Sequence, residues 1–190
     1  MPHDNPKIVV MAFGPFQGRS VNGSLTVLNW LREHWTPGFA ASRILPVEWG
    51  RAPRIMRGLM ERNRPRICIA LGEGHPGRVA IEQQSQNAAR GIDEAGESHP
   101  TGVIDPHGPE WLSGMLGGPP EMVTKCPWPV VLSEDAGCFL CNRVLWEILD
   151  AGPPVGGFVH LPPQGATADR DYVRGLGPWL LEYLHWLASQ

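Results

Sequence analysis

Apolar residues fall along this chain in short, dense runs separated by glycine and proline, and strand-like and helix-like spacings alternate. Lys7-Ile8-Val9-Val10-Met11-Ala12-Phe13 is β-branched and apolar almost throughout, which predicts a strand covered on both faces. Gly14-Pro15 stops it. A helix is expected after Asn22-Gly23-Ser24, with Ser24 as N-cap and Leu25, Leu28, Trp30 and Leu31 as apolar positions. Ile44-Leu45-Pro46-Val47 reads as a second strand, weakened by Pro46, which cannot donate to a ladder. Pro53 suits the first turn of a helix running to about residue 63, with Ile55, Met56, Leu59 and Met60 on one side.

Residues 66–71 read as a third strand ending in a glycine-rich turn, and residues 130–132 as a fourth, followed by a helix over 139–151. Gly157-Phe158-Val159-His160-Leu161 is a fifth, closed by Pro162-Pro163. The last helix carries Tyr172, Val173, Leu176, Leu180, Tyr183, Leu184 and Leu187; Gly175, Gly177 and Pro178 are expected to kink or shorten its start. Strands alternating with helices predict an α/β fold: one domain over residues 1–190, a mainly parallel sheet with helices on both faces. Ligands of such sheets bind beyond strand C-termini. That directs attention to residues 14–23, 72–90, 133–142 and 160–164.

Composition narrows the function. Of 190 residues, 42% are hydrophobic and 18% charged, which supplies a core and argues against disorder. Sixteen Lys and Arg against nineteen Asp and Glu give a net charge of -3, so nucleic acid is not an expected partner. Apolar runs fall far short of the roughly 20 residues that span a bilayer, so no membrane partner is expected either. Residues 1–6 lack the basic and apolar parts of a secretion signal. With that, four cysteines (Cys68, Cys126, Cys138 and Cys141) predict reduced thiols and a cytoplasmic protein.

Cys141 stands where a strand turns into a helix, and the positive end of a helix dipole favours a thiolate. Burial as a small hydrophobe is the competing reading for any single cysteine. The spacing Cys138-x-x-Cys141 suits redox or zinc chemistry only weakly: it follows the penultimate strand, and no second close Cys/His pair completes a metal site. No metal or cofactor is expected. His160 ends a strand at the ligand-binding edge, where an imidazole can take a thiol proton and return it to a leaving amine. Glu73, Glu82, Asp93 and Glu134 are the acids that could orient it, and spacing does not choose among them.

Several blocks resemble the type I pyroglutamyl peptidase (pyrrolidone-carboxylate peptidase) family. Ala12-Phe13-Gly14-Pro15-Phe16-Gln17-Gly18 with Asn22-Gly23-Ser24 is similar to its Gly-Phe-x-Pro-Phe-x-Gly…Asn-Pro-Ser signature. Pro65 to Gly72 and the turn ending in Gly77-Arg78 resemble its third strand and Gly-Gly-Arg. Glu82 with Asn87, Ala136-Gly137 through Cys141-Asn142, and Gly157-Phe158-Val159-His160-Leu161-Pro162 follow in the family's order. The resemblance implies a three-layer α/β/α sandwich on a mixed sheet and a cysteine peptidase with the triad Cys141, His160 and Glu82. It further implies Phe13 and Phe16 as walls of a pyrrolidone pocket, Asn22 as a brace of the first loop, and Arg90 beside an oxyanion hole completed by the Cys141 N–H. The substrate would be a small peptide or small amide, and the assembly a homo-oligomer of two or four copies.

Some positions depart from the family pattern. Glu73 stands where the family has glutamine, Gly23 where it has proline, and Arg143 where it has histidine. Glutamine both donates and accepts, whereas an ionised glutamate only accepts. Glu73 is therefore expected to favour a ligand with extra N–H donors or positive charge. That leaves two alternatives to pyroglutamyl hydrolysis: an amidase or biosynthetic acyl-transfer enzyme on another small amide, and a non-catalytic binding protein of the same fold.

Overall fold

The computed structural model describes residues 7–35, 39–118, 126–165 and 170–190. His3, the rest of residues 1–6 and the prolines at 119–120 lie outside them. In chain order the elements are β1 (Ile8–Phe13), α1 (Gly23–His34), β2 (Phe39–Leu45), α2 (Arg51–Asn63), β3 (Ile67–Glu73) and β4 (Val79–Glu82). Then come β5 (Gln84–Gln86), β6 (Trp111–Ser113), β7 (Val130–Ser133), α3 (Leu140–Ala151), β8 (Val155–Leu161) and α4 (Arg170–Ser189).

Six strands form one sheet in the order β2-β1-β3-β8-β4-β7. β2, β1, β3 and β8 run parallel; β4 is antiparallel to β8 and carries β7 parallel to itself. The sheet is thus mixed, with its direction reversing once, between β8 and β4. β5 and β6 make a separate antiparallel pair.

All six residues of β1 are buried, and the alternation of its side chains divides them between two cores. Ile8, Val10 and Ala12 join Ile67, Ile69 and Leu71 beneath α1 and α4, against Leu28, Leu31, Leu180 and Leu184. Val9, Met11 and Phe13 face the other way, with Cys68, Ala70 and Phe158, towards Met56 and Leu59 of α2 and Val144 and Leu145 of α3. This is a three-layer α/β/α arrangement, and it explains why the central strands read as continuous apolar runs.

Local differences from the sequence pattern have physical causes. The α1 N-cap is Asn22, not Ser24: its side chain accepts from Ser24 N at 3.0 Å while its amide donates to Gly14 O at 3.0 Å. The second strand lies upstream of the expected run, ending at Leu45 with Pro46 outside the ladder. In α4 the helix runs unbroken from Arg170 to Ser189 with Pro178 inside it. Its glycines serve close packing instead of breaking the helix. A Cβ on Gly177 would lie 2.5 Å from the Trp30 ring of α1, and one on Gly175 would lie 2.6 Å from Pro127.

Gly177→Ala should therefore destabilise the protein although alanine is the better helix former. We expect a net loss of about 1–3 kcal/mol in urea unfolding, because the Trp30 indole has to move aside. An unchanged or raised midpoint would show that α1 and α4 are not packed this closely.

Candidate active site

Strand alternation and helix placement bring three distant residues to one face of the sheet. On β8, Val159 and Leu161 point into the core beneath α1 and α4, which turns Phe158 and His160 towards α3. On β4, Val79 and Ile81 enter that same first core, so Glu82 also faces the α3 side. The antiparallel register pairs Ala80 with His160, and Glu82 sits two residues further along. At that diagonal spacing long side chains meet. Glu82 Oε1 lies 2.7 Å from His160 Nδ1.

Cys141 is in the first turn of α3, whose N-cap, Phe139, supplies no side-chain hydrogen bond. The N–H groups of the first turn and the positive end of the helix dipole lie at this end of α3. Two glycines make room beneath it. A Cβ on Gly72 would lie 3.0 Å from Cys141 Sγ and 2.8 Å from the Phe158 ring, and one on Gly74 would lie 2.7 Å from His160 Cβ. Gly72 is moreover the register partner of His160 in β3. Read in the sequence as part of a turn, Gly72 is the strand position over which sulfur and imidazole approach.

Asn142, buried next to the cysteine, fixes the helix start to the segment after Glu82. Its Oδ1 accepts from Gln86 N at 3.0 Å and Ser85 Oγ at 2.9 Å; its Nδ2 donates to Gln86 O at 2.8 Å and Ala88 O at 2.9 Å. This role was not legible in the sequence, although a polar residue on the buried face of a helix is a signal for one.

Burial works against a charged His160, but the Cys141 sulfur and the Glu82 carboxylate, each by charge and hydrogen bond, outweigh it and push its pKa up to about 10. Glu82 is 1% exposed, and among the described residues its Oε2 has no hydrogen-bond partner. The other acids stand elsewhere. Asp93 accepts the N–H groups of Trp49, Ala95 and Glu97 and braces its own loop, and Glu134 is exposed. The thiols are all free, and burial pushes the Cys68 thiol up to about 12.

Beside the sulfur lies a narrow cavity of about 30 Å³ lined by Phe13, Phe16, Asn22, Val47, Glu73, Phe139, Leu140 and Cys141. Val47, Phe139 and Leu140 were not singled out in the sequence. Glu73, 3% exposed, does not present an uncompensated charge. Its Oε2 accepts from Arg19 at 2.5 Å; its Oε1 accepts from Gly23 N at 2.6 Å, Gln164 N at 3.1 Å and Arg19 at 3.2 Å. The expectation of a preference for positive charge is therefore corrected: Arg19 already supplies the cation. Two of the sequence departures meet in one bond, since a proline at position 23 would have no N–H to give the carboxylate. Arg90 is exposed, and its backbone N–H donates to Cys138 O at 2.7 Å, holding the loop that leads into Cys141.

Among the described residues no helix is long and apolar enough to cross a membrane, and no group of three or more His, Cys, Asp or Glu is placed to hold a metal ion.

The pyroglutamyl peptidase family model matches residues 6–175. The chain is 30% identical over 164 residues to a pyrrolidone-carboxylate peptidase of Chromobacterium violaceum, covering 82% of this chain and 77% of that one. It is 25% identical over 183 residues to pyroglutamyl-peptidase 1 of Rattus norvegicus, covering 90% and 86%. In fold it is similar to pyroglutamyl peptidase I of Bacillus amyloliquefaciens, with a TM-score of 0.80 at 23% identity over 97% of this chain and 98% of that one. The pyrrolidone carboxyl peptidase of Thermococcus litoralis superposes with a TM-score of 0.79 at 22% identity, covering 97% and 96%. With its matching fold and with a family model spanning nearly its whole length, this chain belongs to the pyroglutamyl peptidase family.

Proposed function

We propose that the protein is a cysteine peptidase that removes an N-terminal pyroglutamyl residue from small peptides or amides, with Cys141 as nucleophile, His160 as acid and base, and Glu82 as the carboxylate that orients His160. The observation that carries this reading is the meeting of Cys141, His160 and Glu82 on one sheet face, with the His160 ring hydrogen-bonded to Glu82 and its pKa raised by both neighbours. The Cys141 sulfur attacks the acyl carbonyl. The carbonyl electron pair moves to oxygen and is met by N–H groups at the start of α3, with Arg90 on the adjoining loop. His160 gives its proton to the departing amine, leaving a thioester. Water adds to the thioester as His160 takes its proton, and the carboxylic acid and the thiol are regenerated. No cofactor takes part.

The small, largely apolar cavity next to the sulfur supports a flat ring as the acyl part. Phe13 and Phe16 would cover its faces, and Asn22 holds the loop between them and α1. Glu73 adds an acceptor with no net charge of its own once paired with Arg19, which suits a neutral ring carrying an N–H. The acceptor-only character of Glu73 also supports a second reading, in which the same chemistry acts on a different small cyclic amide. A panel of acyl-arylamides separates the two, with the pyroglutamyl compound expected to turn over fastest. Action in the cytoplasm as a dimer or tetramer belongs to the proposal, and light scattering of the purified protein tests the assembly.

Cys141→Ala should lower hydrolysis of a pyroglutamyl-arylamide by at least about 10³-fold without moving the melting temperature by more than a few degrees. Retained turnover would refute the assignment. Gly74→Ala, which displaces the His160 ring, should lower kcat about 10²-fold in a folded protein.

The His160 imidazolium should titrate near pH 10 by NMR and at lower pH in Cys141→Ala, which removes the sulfur's contribution. Because its folded value lies above the ordinary histidine value of 6.5, the stabilisation it brings is complete below pH 6.5 and is lost as the pH rises through about 10. Thermal stability measured across that window should fall more steeply in the wild type than in His160→Gln.

Arg19→Met removes the cation from a nearly buried carboxylate that keeps two backbone donors. A stability loss of about 1–3 kcal/mol is expected, with KM for the pyroglutamyl substrate rising more than kcat falls. Unchanged KM would separate the Glu73 pair from substrate binding.

A further inference from the structure

The chain carries a net charge of -3, yet α2 holds Arg51, Arg54, Arg57 and Arg62 in 13 residues, with Glu61 as its one acid. Helical spacing puts Arg54, Arg57, Gly58, Glu61 and Arg62 on the face opposite the buried Ala52, Met56, Leu59 and Met60. Facing them across an open groove of about 680 Å³ stands Arg143 from α3, with Trp49 and Pro53 among the apolar parts of the wall.

We propose that this groove binds a small, multiply charged anion, of the class of organic diphosphates or polycarboxylates, through the guanidinium groups of Arg54, Arg57, Arg62 and Arg143. Four arginines against the two carboxylates Glu61 and Glu147 leave the site positive. Glu147 is the carboxylate shared by two of these arginines, taking Arg57 Nε at 2.7 Å and Arg143 at 2.5 Å. Arg143 is 11% exposed and also donates to Ile104 O at 3.2 Å, so its position is set before any ligand arrives. Arg54 and Arg62 have no carboxylate partner among the described residues. The Arg62 head folds into the space that Gly58 leaves: a Cβ there would lie 3.0 Å from its terminal nitrogen. Planar guanidinium forks converging from two helices match the oxygens of phosphate or carboxylate groups, which accept paired N–H bonds. A diffuse basic surface would lack both the ordered Arg143 and the walls.

The groove is distinct from the catalytic cavity but adjoins it. The Trp49 ring meets Phe139 edge-on at 5.2 Å, and Phe139 caps α3 and lines the cavity beside Cys141. His99 stands at the groove rim, against Trp49 at 5.4 Å. Its pKa is held below the ordinary histidine value by burial and then by the charge of Arg143. An anion in the groove opposes that second effect.

The test is calorimetric titration of the whole protein with inorganic pyrophosphate and, separately, citrate, against sodium chloride at matched ionic strength. Saturable binding is expected for at least one, and the stronger of the two identifies the phosphate or the carboxylate source. The double variant Arg54→Gln/Arg62→Gln, altered only at exposed positions, should weaken binding about tenfold or more. Arg43→Gln/Arg174→Gln makes the same change in net charge elsewhere and should leave affinity within about twofold. Pyrophosphate should raise the His99 pKa seen by NMR. Absence of saturable binding, or equal losses in the two double variants, would overturn the proposal.

Discussion

The contact between Glu82 and His160 is the constraint on which the site depends. A carboxyl group that is 1% exposed, with one oxygen lacking a hydrogen-bond partner among the described residues, is costly in this interior unless its other oxygen is paired. The contact with His160 Nδ1 at 2.7 Å is that pairing, and it also sets the ring's orientation. The geometry follows from the single reversal of strand direction in the sheet. If β4 ran parallel to β8, the register that sets Glu82 diagonal to His160 would not exist. The N-terminus of α3 then brings Cys141 over Gly72, where a Cβ would lie 3.0 Å from its sulfur.

Around that contact, the cavity beside Cys141 shows how replacements compensate one another. An acid at position 73 requires a counter-charge and several donors, and Arg19, Gly23 N–H and Gln164 N–H provide them. The glycine at 23 has a second reason: a Cβ there would run into the Tyr172 hydroxyl, which donates to Pro162 O at 2.6 Å. One end of β3, the start of α1, the loop after β8 and the first turn of α4 are tied together at this corner.

Much of the architecture was legible before the structure. β1, β3, β7, β8, α2 and α3 lie where apolar runs and helical spacing put them, because strands buried on both faces and helices buried on one leave strong patterns. β4 escaped detection because four residues, Val79 to Glu82, are too few to show a period. The glycines and Pro178 of α4 misled for a different reason. Local propensity disfavours a helix there, but packing against Trp30 and Pro127 rewards an absent side chain. At α1 the sequence pointed to Ser24 as the cap, but the Asn22 side chain accepts from Ser24 N while its amide reaches Gly14 O, which sets the cap two residues earlier.

For the site, sequence by itself determined the chemical types and their approximate addresses: a cysteine at a helix start, a histidine in the last strand, and a set of acids. Its motif order was enough to suggest the family and a choice among those acids. Only the tertiary structure decided that Glu82 reaches the imidazole while Asp93 and Glu134 do not, that Arg19 cancels the charge of Glu73, and that α2 and α3 together form a basic groove. The reason is physical. Periodicity records how each residue sits within its own element, whereas hydrogen bonds and ion pairs between elements depend on register and strand direction, which no local pattern encodes.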